Sequence, residues 1–89
     1  MPSVHRAAAH QRTLAMLFEH PLSHNIEWKD VLHFLESIGT TAEGGHGSLH
    51  VAVNGKTAVL HGTKRKTLDD TQVMQLRHFL RNAGIEPAP

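Results

Sequence analysis

Three histidines, His46, His50 and His61, fall in the stretch EGGHGSLHVAVNGKTAVLHG from Glu43 to Gly62, and Lys64, Arg65 and Lys66 follow almost at once. Imidazole has an unperturbed pKa of about 6.5, so it can give or take a proton near neutrality. Cleaving RNA needs such groups. A base must take the 2′-hydroxyl proton, an acid must protonate the leaving oxygen, and cations must stabilise charge on the phosphorus oxygens. From Gly44 to Leu68 there is no Asp or Glu, against Lys56, Lys64, Arg65 and Lys66. That local excess makes a phosphate-binding surface on a chain whose net charge is only +1. His46, His50 and His61 are therefore the catalytic candidates, and Ser48, Lys56, Lys64, Arg65 and Lys66 the RNA- or phosphate-binding ones.

Two plainer readings stand beside this one. Outward strand positions are polar whatever their function, and short basic runs are often no more than solvated loops. Three imidazoles could also hold a metal, but no carboxylate lies nearby in sequence to orient them and no familiar zinc spacing is present. No metal or cofactor is called for. His20 and His24 straddle Pro21 and make no helical pair, and His33 and His78 fit helix surfaces.

The elements that must position these groups can be read from periodicity. Residues from about Arg6 to His20 predict a helix, with Leu14, Leu17 and Phe18 at i, i+3 and i+4 and Pro21 ending it. Ser23 to Asn25 make a turn. A second helix follows with Asn25 as its N-cap and a stripe of Trp28, Val31, Leu32, Leu35 and Ile38, stopping at Gly39. Thr40 to Glu43 suits a short strand. Ser48 to Val53 alternates cleanly up to Asn54-Gly55, the strongest short-range signal for a two-residue type I′ turn, and Lys56 to His61 is the return strand. After a basic loop, Gly62 to Lys66, the run Thr67-Leu68-Asp69-Asp70 resembles a capping box. The last helix, about Asp69 to Ala83, turns Val73, Leu76, Leu80 and Ala83 inward and closes at Gly84.

A two-residue turn also sets the hairpin register, because it makes Val53 face Lys56, Val51 face Ala58 and Leu49 face Leu60. Those apolar pairs belong to the buried face. Ser48, His50 and Ala52 then share the other face with His61, Val59 and Thr57, His50 and His61 being diagonal neighbours on the order of 7 Å apart. If the strand continues backward, His46 joins them. The fold class is α+β: a small antiparallel sheet of two to three strands with helices on one face and the other face open.

At 89 residues the chain makes one domain with a modest core. It has no cysteine, which suits a reducing cytoplasm. No apolar run is long enough to cross a bilayer and no leader pattern opens the chain, so the expectation is a cytoplasmic protein with no membrane partner. Gly44-Gly45-His46-Gly47 matches the GxxG of a KH domain, but that loop joins two helices and here a strand follows. An RRM needs exposed strand aromatics, whereas Phe18, Trp28, Phe34 and Phe79 all sit in helical patterns. Nucleic acid would be read by phosphate and shape.

From about Asn25 to Ile85, the segments WKDVLHFLESIG, GGHGSLHVAV, TAVLHG and MQLRHFLRNAGI resemble the HicA family of toxin–antitoxin ribonucleases, the closing L-R-x-F-L-R-x-A-G-I most of all. The resemblance implies a double-stranded-RNA-binding-like α-β-β-β-α core over residues 25–86. A helical extension over residues 1–24 precedes it, and residues 87–89 form a tail. It further implies cleavage of mRNA without a ribosome, and neutralisation by a HicB-like antitoxin protein. The family's essential histidine follows glycine and a small residue at the start of a strand. Two registers meet that pattern: Gly44-Gly45-His46 keeps the histidine, and Gly47-Ser48-Leu49 replaces it with Leu49. Under the first, His46 is the catalytic residue, with His50 and His61 nearby, His61 resembling the histidine that ends the family's following strand. A non-catalytic nucleic-acid-binding module and a protein-interaction module on the same fold are the alternatives.

Overall fold

A computed structural model describes residues 8–87. Its elements are α1 (Ala8–Leu17), α2 (Trp28–Ile38), β1 (Thr40–Glu43), β2 (Leu49–Val53), β3 (Lys56–Leu60) and α3 (Asp70–Asn82). The three strands form one antiparallel sheet in the order β1-β2-β3. The class is α+β, as composition and periodicity predict.

Alternation decides which face of the sheet is covered. Leu49, Val51 and Val53 of β2 and Leu60 of β3 are buried together with Val31, Phe34 and Leu35 of α2 and Val73, Leu76 and Leu80 of α3. Thr40, Ala42, His50, Thr57 and Val59 lie exposed on the opposite face. The predicted register holds: Leu49 faces Leu60, Val51 faces Ala58 and Val53 faces Lys56. Asn54 and Gly55 both take positive φ, 51° and 80°, the conformation a type I′ turn requires. Asn54 Nδ2 donates to Ala83 O at 2.9 Å, docking this end of the hairpin on the end of α3.

Three boundaries differ from expectation. Helix α2 begins at Trp28 with Glu27 as its N-cap, in place of Asn25. Residues ahead of it are held extended, because Trp28 N donates to Lys66 O and Leu68 N to Ile26 O, each at 2.9 Å, around a bridge between Glu27 and Thr67. That long-range pairing, with Ile26 buried, outweighs the local capping preference of Asn25. The capping box of α3 is Asp69 with Gln72, two residues beyond the Thr67 register: Gln72 N donates to Asp69 Oδ1 and Asp69 N to Gln72 Oε1, both at 2.8 Å. At its other end Ile85 N donates to Leu80 O and Gly84 N to Arg81 O, the Schellman pattern expected of Gly84.

Helix α1 stops at Leu17, ahead of Pro21, and the predicted start at Arg6 lies outside the described residues. Its end is held from α3: Arg77 Nε donates to Leu17 O and Arg77 Nη2 to Glu19 O, both at 2.7 Å. The guanidiniums of Arg77 and Arg81 also sit 5.8 Å and 5.6 Å from the Phe18 ring centre, within cation–π range. Leu14 and Leu17 enter the common core, so α1 is packed into the domain rather than appended to it. Among the described residues no helix is long and apolar enough to cross a membrane.

Candidate nucleic-acid interface

The connection from β1 to β2 is a single turn of 3-10 helix, Gly45–Gly47. Gly44 N donates to Ser48 O at 3.0 Å and Ser48 Oγ to Gly45 O at 2.9 Å, closing the turn. Within it His46 takes φ 60° and ψ 34°, and Gly47 follows with φ 73°. Two successive left-handed residues reverse the chain, so the strand does not continue backward and His46 does not share the outer sheet face. It stands exposed at the tip of the turn. A left-handed non-glycine residue costs about 1–2 kcal/mol.

The basic loop is fastened to this turn. Thr63 N and Thr63 Oγ1 both donate to Gly47 O at 3.0 Å. The stem of Lys64 covers Gly47, where an added β-carbon would lie 3.5 Å from Lys64 Cγ. At its far end the loop is anchored through Lys66 O to Trp28 N. His46 and Lys64 are thereby set on either side of one glycine. Lys64, Arg65 and Lys66 are exposed, and none has an ion-pair partner among the described residues.

His50 lies on the open face of the sheet, between Ala42 of β1 and Val59 of β3. Its ring crosses over Gly44, where an added β-carbon would sit 3.0 Å from His50 Nε2 and 2.5 Å from Ser48 Oγ. Any side chain at Gly44 would displace one of them, so the glycine is what lets imidazole and hydroxyl approach each other. His61 is exposed just beyond β3, and its carbonyl accepts from Gln72 Nε2 at 2.7 Å. The strand pairing ends at Leu49–Leu60, one step before Ser48 and His61. Lys56 begins β3 beside the Asn54-Gly55 turn, at the end of the hairpin away from Lys64. Leu49 is 4% exposed, so the second motif register falls on a core position. Among the described residues no three His, Cys, Asp or Glu side chains are grouped to hold a metal ion.

No family profile, curated protein or solved structure matches this chain.

The geometry also exposes a feature that sequence reasoning missed. A cleft of about 380 Å³ opens between the start of α2, the end of β1 and the basic loop. Its floor is Trp28, Leu32 and Leu49, and Glu43, Thr63 and Arg65 border it. Pairing Glu43 with Leu49 turns the carboxylate toward the helix side of the sheet. The register of β1 would have revealed this from sequence, but no turn signal specifies the pairing across Gly44–Ser48. The open sheet face carries no Phe, Tyr or Trp among the described residues, which leaves the His50 ring for any base stacking on the strands.

Proposed function

We propose that this chain is a HicA-like, double-stranded-RNA-binding-like domain that cleaves mRNA without a metal, held in check by a HicB-like antitoxin protein. The observation that carries this reading is the double hydrogen bond from Thr63 to Gly47 O, which joins an exposed imidazole to a run of exposed cations. The order α2-β1-β2-β3-α3 agrees with the α-β-β-β-α core of that family.

On this reading His46 is the general acid or base, with His50 and His61 as the further imidazoles. One imidazole takes the 2′-hydroxyl proton as that oxygen attacks phosphorus. An imidazolium gives its proton to the departing 5′-oxygen, leaving a 2′,3′-cyclic phosphate on one fragment and a 5′-hydroxyl on the other. Lys64, Arg65 and Lys66 hold the phosphate and offset charge on its oxygens. The left-handed backbone at His46 supports the assignment, since strain of this kind clusters at functional sites.

A second reading rests on Leu49, which occupies a buried position in the alternative motif register. It keeps RNA binding and drops cleavage. The two separate when purified protein is incubated with a labelled structured RNA in EDTA, scoring intact RNA, fragments and bound complex for wild type and His46→Ala. Fragments from wild type alone support a metal-independent nuclease acting through His46. RNA bound but intact favours the binding module, and undiminished cleavage by His46→Ala removes His46 from the chemistry.

A further inference from the structure

The cleft under the basic loop shares Arg65 and Lys66 with the phosphate contacts above, but its apolar lining and Glu43 take no part in the cleavage chemistry and have the makings of a ligand site. Its volume of about 380 Å³ falls in the range of small-molecule pockets, and an apolar floor with a few convergent polar groups is what such pockets present. Glu43 and Arg65 border it with opposite charge, and neither has an ion-pair partner among the described residues. Glu27, by contrast, is engaged with Lys29 at 3.6 Å.

We infer that this cleft holds the guanine base of an unpaired nucleotide, with its phosphate on Arg65 and Lys66. The inference rests on the RNA-binding reading and gives it a base preference that phosphate contacts alone cannot supply. An ionised carboxylate is acceptor-only, with two oxygens side by side. Guanine answers with two adjacent donors, N1–H and the N2 amino group. Adenine and cytosine set a ring-nitrogen acceptor beside their single amino group, which faces the second oxygen unfavourably. Uracil flanks its one N–H with two carbonyls. Guanine O6 is in turn an acceptor for the Arg65 guanidinium at the border of the cleft. The apolar lining of Trp28, Leu32 and Leu49 suits the face of a ring splayed out of a helix, the way single-stranded RNA is commonly read.

Trp28 is the chain's one tryptophan, so its fluorescence reports the cleft directly. The test is titration of the full chain with the 5′-monophosphates of guanosine, adenosine, cytidine and uridine, for wild type and Glu43→Gln, with binding of a structured RNA measured on the same samples. Glu43 is exposed and has no ion-pair partner among the described residues, so Glu43→Gln should keep its melting midpoint while placing an N–H₂ against a donor of guanine. The expected result is guanosine monophosphate bound about tenfold tighter than the others, as a bidentate base contact provides. Glu43→Gln should erase that preference and leave binding of the other three unchanged. Equal binding of all four by wild type, or a preference that survives Glu43→Gln, overturns the inference. Structured RNA bound with no response to any mononucleotide overturns it too, while leaving the RNA reading intact; loss of all binding defeats both.

Discussion

Thr63 gives two hydrogen bonds, one from its amide and one from its hydroxyl, to the single carbonyl oxygen of Gly47, each 3.0 Å long. Sixteen residues separate the two in sequence, and the contact joins a loop of cations to a turn that carries a histidine. The spatial relation of His46 to Lys64 depends on this contact more than on either segment alone.

Thr63→Val tests the contact. Valine keeps the amide bond and the side-chain shape but removes the hydroxyl, so stability should fall by about 1 kcal/mol, seen as a melting midpoint lower by about 4–8 °C. RNA cleavage should fall with it. Full cleavage at the lowered midpoint would mean that the turn and loop keep their places without the hydroxyl.

His46→Gly separates chemistry from strain. Glycine relieves the left-handed backbone, a gain of about 1–2 kcal/mol set against about 0.5–1 kcal/mol of extra chain entropy in the unfolded state. The midpoint in a denaturant titration should therefore be no lower than that of wild type, while cleavage is lost. A protein destabilised by this change would contradict the backbone assignment at His46.

Replacing Lys64, Arg65 and Lys66 together by glutamine bears on the phosphate role. All three are exposed and without an ion-pair partner among the described residues, so the fold should be unaffected. RNA affinity should drop, and the slope of log K against log salt should flatten by about 2–3, near 0.7–0.9 for each of the lost phosphate contacts. An unchanged slope would assign the phosphates to other residues.

Leu49→His addresses the alternative motif register. Leu49 is packed opposite Leu60 in the core, so an imidazole there should cost about 2–5 kcal/mol in chemical denaturation and add no cleavage. A gain of activity at unchanged stability would place the catalytic position at residue 49 after all.

What could be read in the sequence is what depends on near neighbours. Asn54-Gly55 permits one turn type, and that turn alone aligns Leu49 with Leu60 and puts His50 on the open face. The stripes from Val31 to Leu35 and from Val73 to Leu80 likewise follow from helical spacing. Some errors come from contacts between distant segments, others from local geometry that a residue pattern does not display. Asn25 looks like a cap until Ile26 pairs with Leu68, and Thr67 looks like one until Asp69 exchanges bonds with Gln72. His46 belongs to the strand only if Gly47 is extended, and two positive φ values in a row are invisible to an alternation pattern. The cleft is illegible for a related reason: Glu43 and Arg65 are brought to one opening only because Thr63 reaches Gly47 and Lys66 reaches Trp28.

Arg77 sets the smallest piece of this chain that can be expected to stand alone. The residue is 8% exposed in the folded chain, and its guanidinium donates to the carbonyls of Leu17 and Glu19. A version trimmed to begin at Asn25 would strand that charge without either acceptor and uncover the core residues that Leu14 and Leu17 now shield. The proposed HicA-like core starts at about Asn25, but the physical unit begins earlier, and shortening the protein to that core would remove the segment that completes its interior.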